Sequence, residues 1–127
     1  MVALVNEKDE NHEKAVHLSQ EFNRQQMLVT DAILLEIGNS LSREFKSEAV
    51  AAIEGLFESQ EVEIVRLDET LFNKAFELYR SHINKTYGLV DCVSFVVMRE
   101  HSITDVLTND RHFAQAGFRA LMRDHVN

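Results

Sequence analysis

Proline and tryptophan are absent from this 127-residue chain, which has one cysteine and four glycines. With so few breakers, long irregular loops have little room, and most residues must enter helices or short strands. The single cysteine, Cys92, excludes an intramolecular disulfide. No apolar run approaches the roughly 20 residues that span a bilayer. The longest, Cys92–Met98, is short and carries Ser94. The opening "MVALVNEKDENHEK" turns acidic without a basic stretch, unlike a secretory signal. A cytoplasmic, non-membrane protein is the expectation. Positive charge is also scarce: the net charge is −8 and the arginines are scattered. That argues against a broad electrostatic grip on duplex nucleic acid. It leaves room for an enzyme that gathers carboxylates around a cation.

What is present is an ordinary globular balance, 45% hydrophobic and 27% charged. The length suits one domain, residues 1–127, with a real core. Helical periodicity covers Asn11–Gln26, Asp31–Ser42, Ser47–Glu58, Glu69–His82 and Val90–His101, with a helical turn at Arg111–Gln115. Between these stand strand-like runs at Met27–Thr30, Val62–Leu67 and Ile103–Thr108, and "FRALM" near the end reads as an edge strand. Strands alternating with helices predict an α/β fold, a three-layer α/β/α sandwich around a parallel sheet.

One residue looks misplaced in this pattern. Asp91 opens the nearly apolar helix of "LVDCVSFVVM", where a buried carboxylate is costly unless something satisfies it. Ligands of open α/β sheets bind beyond the C-terminal strand ends, where the following helices begin. Glu36 lies in the second turn after "MLVT", Asp91 in the first turn of the apolar helix, and Asp110 directly after "ITDVLT". All three are expected at one rim, with Asn39 and Ser40 flanking Glu36 and Ser94 sharing the face of Asp91. Each also has a plain reading: an exposed helix residue, a favourable charge on the helix dipole, an N-cap. Clustered carboxylates raise one another's pKa unless a cation sits between them. Mg²⁺ or Mn²⁺ is the filler that oxygen donors favour. "HEKAVH" is no zinc motif, because His12 and His17 fall about 140° apart on a helix. Cys92 reads as a core thiol, and there is no glycine-rich phosphate loop.

The blocks "TDAILLEIGNSLSR", "YGLVDCVSFVVMREHSITDVLTNDRHF" and "AGFRALM" resemble the PIN domain, and in particular the VapC-like toxins of prokaryotic toxin–antitoxin pairs. The resemblance implies a Mg²⁺-dependent ribonuclease cutting phosphodiester bonds of single-stranded or looped RNA. It maps the acidic, metal-holding site onto Glu36, Asp91 and Asp110, with Thr108 as a hydroxyl that orders it. Ser94 and Asn39 match common neighbours of the acids. It further implies an antitoxin protein that blocks the pocket, and a homodimer. It also places Met1 inside a short helix, so the first, central strand and its metal-binding Asp are expected to be missing. A rival reading is an inactive remnant that only binds antitoxin. A phosphoacceptor receiver domain is disfavoured, since its acidic pair and its lysine are not visible.

Overall fold

Five parallel strands form one sheet in the order β3-β2-β1-β4-β5. The computed structural model describes residues 1–5, 26–41, 44–108 and 110–124. The helix expected over Asn11–Gln26 lies outside these residues except for Gln26. Along the described chain run β1 (Val2–Leu4), β2 (Met27–Thr30), α1 (Asp31–Ser40), α2 (Lys46–Glu58) and β3 (Val62–Val65). They are followed by α3 (Glu69–Ser81), α4 (Leu89–Glu100), β4 (Asp105–Leu107), α5 (Arg111–Gln115), β5 (Arg119–Ala120) and α6 (Leu121–Asp124). The α/β class and the parallel sheet are as the sequence predicts. Among the described residues, no helix is long and apolar enough to cross a membrane.

The centre of the sheet is filled, which corrects the expectation of a missing strand. Val2–Leu4 pairs with β2 (Val2↔Met27, Ala3↔Leu28) on one side. On the other it pairs with β4 through Val2↔Asp105, Ala3↔Val106 and Leu4↔Leu107. "MVALVN" therefore does not start in a helix. A short apolar stretch flanked by two strands satisfies its backbone groups on both sides and buries both faces, as a central parallel strand must. Val2 and Ala3 are accordingly almost fully buried. The last element is also shorter than predicted. Arg119 and Ala120 form the edge strand beside β4, while Leu121 and Met122 turn into α6 and are buried.

Side chains alternate across the sheet, so the strands feed two cores. Ala3 and Val106 point into the larger one, with Ile33, Val93, Phe95, Val97 and Phe113 from the helices. Val2 and Leu107 point to the other face, where Met27, Leu121 and Met122 join them. An aromatic cluster ties α4 to α5: Phe95 meets Phe113 edge-on at 5.0 Å between ring centroids and Tyr87 at 5.1 Å. Cys92 is wholly buried, and burial pushes its thiol pKa up, with the Asp91 charge adding to the rise. It is a core residue, not a nucleophile.

Helix α4 ends in a Schellman motif. Ile103 N–H donates to Met98 O at 2.8 Å and Ser102 N–H to Arg99 O at 3.2 Å. This geometry puts Ser102 at φ 56°, in the left-handed region where glycine is the usual occupant. The left-handed conformation costs an L-residue roughly 1–2 kcal/mol, partly offset by the greater unfolded-state freedom of glycine. Ser102→Gly is expected to stabilise the protein by about 0.5–1 kcal/mol, measured as a shift in the urea midpoint with an unchanged slope. A lower midpoint would show that the serine hydroxyl contributes more than its strain costs.

Candidate metal centre

Because all five strands are parallel, α1 and α5, which directly follow β2 and β4, start at the edge where the strands end, and α4, which leads into the beginning of β4, starts at that edge too. Three acids at this edge have ordinary structural duties. Thr30 caps α1 by accepting from Ile33 N–H at 3.4 Å. Asp31 beside it accepts from Leu67 N–H and from the Arg66 guanidinium, each at 3.1 Å, and so ties α1 to the end of β3. Asp91 sits at the third position of α4, and its Oδ2 accepts the Gly88 backbone N–H at 3.1 Å. That is half of a capping box, since Gly88 has no side chain to answer with. Asp110 caps α5, its Oδ1 accepting from His112 N–H at 2.9 Å. Thr108 is completely buried, and its Oγ1 accepts from Asp110 N–H at 3.0 Å. That bond ties Thr108 to the backbone of Asp110.

These contacts answer the question posed by Asp91 only in part. Its carboxylate is half-buried, and burial raises its pKa above the ordinary 3.8. The Gly88 N–H lowers it, the nearby Asp110 charge raises it again, and His112 lowers it. The remaining partner is an imidazole. His112 Nδ1 lies 3.2 Å from Asp110 Oδ1 and 3.5 Å from Asp91 Oδ2. Ligand atoms of Asp91, Asp110 and His112 all fall within 4.8 Å of one another. The opposite ring nitrogen, Nε2, lies 2.7 Å from Thr86 Oγ1. Tyr87 holds the ring from the side, edge to face at 5.7 Å.

The fold therefore brings together two of the three expected acids and adds a histidine. Glu36, half-buried on α1, is not among the donors within 4.8 Å. Asn39 is exposed on the same helix. Ser94 turns inward: it is buried and lines a narrow crevice with Thr30 and Met98 against β1 and β2. Along β1 the described residues end with Leu4 and buried Val5, which supply no carboxylate. His12 and His17 lie outside the described residues. His112 escaped the sequence reading because the histidines stand far apart and suggest no paired motif. The available signal was the spacing in "NDRHF", which sets His112 two residues beyond an N-cap acid.

The donor set tests well for a cation. In a neutral imidazole one nitrogen donates and the other accepts. If Nε2–H donates to Thr86, the lone pair of Nδ1 faces two carboxylates. Nδ1 is buried and has no hydrogen-bond partner, an arrangement that a divalent cation relieves. Asp91, Asp110 and His112 are the residues that would hold it.

The chain also resembles known proteins. The family profile described as PIN domain matches residues 1–119. No curated protein matches. A solved structure, that of VapC20 from Mycobacterium tuberculosis, described as a sarcin–ricin loop cleaving toxin, superposes with a TM-score of 0.78 at 23% identity. The match covers 93% of this chain and 96% of that one. At that identity the likeness is one of fold.

Proposed function

From the premise that the chain belongs to the PIN domain family, we propose that it is a metal-dependent ribonuclease and the toxin of a toxin–antitoxin pair. One observation carries this reading: Asp91, Asp110 and His112 converge at the C-terminal edge of a parallel sheet. Mg²⁺ or Mn²⁺ would be held there, with Glu36 reaching it through water as a third carboxylate, since Mg²⁺ keeps several waters. When bound, the ion supplies Lewis acidity toward a scissile phosphate and a more acidic water. The chain's own part is positioning. Gly88 N–H and Thr108 hold the two aspartates at the rim, and Thr86 with Tyr87 holds the imidazole. Looped or single-stranded RNA is the proposed substrate, in line with the looped target of VapC20. The chain 1–127 is proposed to work as one domain in the cytoplasm.

A groove of about 550 Å³ lies beside this site along α3, lined by Phe76, Tyr79, Ile83 and Tyr87 together with Arg80, His82 and Lys85, and reaching Thr86 and Gly88. Phe76 and Tyr79 are 46% and 43% exposed, and Ile83 87%. Exposed apolar side chains interleaved with the cationic Arg80 and Lys85 form a surface that a protein partner with apolar and acidic groups would cover. An antitoxin segment seated there would lie against the residues that hold Asp91 and His112, and so block the site. A second copy of the chain is the other proposed partner of this face. The rival reading, an inactive antitoxin-binding remnant, draws on the absence of a carboxylate along described β1.

Purified protein is expected to cut a single-stranded or loop-containing RNA in Mg²⁺ or Mn²⁺, with cleavage stopped by a chelator and restored by adding metal back. Failure to cut in either metal, with intact binding of an antitoxin, would decide for the remnant.

A further inference from the structure

We propose that His112, through Nδ1, is itself a metal ligand and tilts this site from Mg²⁺ toward first-row transition-metal ions. The inference rests on the cation-holding reading above, and it adds a nitrogen donor to a site that the sequence presents as purely carboxylate. Four observations on the ring support it. Nδ1 is buried, 3.2 Å from one aspartate oxygen and 3.5 Å from the other, yet neither contact has the angle of a hydrogen bond. Its side chain is only 20% exposed, so water does not readily satisfy that nitrogen. Nε2 lies 2.7 Å from the Thr86 hydroxyl, which can accept its N–H and so hold the ring with Nδ1 as the bare nitrogen, the outer contact of a ligating histidine. Tyr87 braces the ring edge-on.

The chemistry then decides which ion gains. Mg²⁺ is a hard cation that takes oxygen ligands. Imidazole is a donor of borderline softness whose contribution grows along the first-row series from Mn²⁺ to Co²⁺ and beyond. Two carboxylates and one imidazole therefore suit Co²⁺ and Mn²⁺ better than Mg²⁺. Thr86 acts as a positioning residue, holding the ring without touching the ion.

The test is calorimetric titration of Mg²⁺, Mn²⁺ and Co²⁺ into the full chain and three groups of variants. His112→Gln is expected to weaken Co²⁺ and Mn²⁺ binding about tenfold or more while changing Mg²⁺ binding far less. It should also alter the visible absorption of bound Co²⁺, which reports the donor set directly. Thr86→Val is expected to lose roughly tenfold in Co²⁺ affinity, in the range of outer-contact removals, and Thr86→Ser to retain it. Circular dichroism of each metal-free variant checks the fold, and the exposed Thr86 keeps the test open if His112→Gln fails to fold. An unchanged Co²⁺-to-Mg²⁺ affinity ratio in His112→Gln, with binding still dependent on Asp91, overturns this inference alone. Tighter binding of all three ions in His112→Gln also overturns it, because the ring would then be an imidazolium standing in for the cation. If no ion binds the unmodified chain, or if binding survives Asp91→Asn, the cation reading falls and this inference with it.

Discussion

Asp91→Asn is expected to abolish RNA cleavage while making the metal-free protein more stable at neutral pH. The loss in rate should reach roughly 10²-fold or more, as when one preorganised electrostatic contact to a transition state is removed. The gain in stability follows from the sign of the pKa shift. The folded protein holds Asp91 above 3.8, chiefly by burial and then by repulsion from Asp110. Between 3.8 and that raised value the native state binds more protons than the unfolded state, so this residue's contribution to stability falls as pH rises. Above the window the deficit is complete. Asparagine has no charge to desolvate, and its amide oxygen can still accept the Gly88 N–H. Melting temperatures of the two metal-free proteins should therefore differ most near pH 7 and converge below about pH 4. Added metal reverses the order, since a ligand that binds only the native state stabilises the wild type and has no site in the variant. An Asp91→Asn protein that is unfolded would make the residue structural, and one that still cleaves RNA would remove it from the site.

Phe95→Ala is expected to cost the most stability of any single change proposed for this chain, about 3–5 kcal/mol. Phe95 is 1% exposed at the centre of the larger core. Its ring meets Tyr87 and Phe113 edge-on and stacks with Phe118 at 5.6 Å. Truncation deletes all three ring contacts and leaves a cavity where α4 meets α5. Tm should fall by roughly 10 °C or more. The site suffers as well, because Phe95 supports Tyr87 and Tyr87 supports His112. Metal affinity is expected to drop in Phe95→Ala even at temperatures where circular dichroism shows it folded. Phe95→Leu, which keeps most of the volume, should lose under about 1.5 kcal/mol. A loss below 1 kcal/mol for the alanine variant would mean that the neighbouring rings collapse into the space and that the cluster is not what joins the two helices.

Much of this architecture is local and so was legible along the chain. Met27–Thr30 forms the strand its sequence predicts, and α4 starts and ends within a residue of the expected Val90–His101. Each bears its own period and end signals, and these need no partner to be read. That Asp91 and Asp110 share a rim also follows from sequence order: α5 begins where β4 ends, and α4 leads directly into the start of β4, so its own first turn lies back at the edge where β4 ends. Thr108 fits the same logic, as its hydroxyl bonds only two residues ahead.

Other features exist only through contacts between distant segments. Val2–Leu4 has three residues, too few to show a period, and its place at the centre comes from the two strands that flank it. Helix position and the family resemblance put Glu36 and Ser94 at the site, and neither shows how a helix rolls. Which way a helix rolls against the sheet is set by packing, and packing turns Ser94 inward and keeps Glu36 out of the close group. His112 is the clearest case. Nothing in "NDRHF" says that its ring will lie between Asp110 and the start of a helix at Leu89, 23 residues upstream. Phe95 and Phe113 bring those two helices together, and only then does an imidazole nitrogen come within reach of both carboxylates. Sequence order determined the class of fold and the edge that carries the chemistry. The donors that meet there were decided by side-chain packing, which brings together segments that carry no local record of one another.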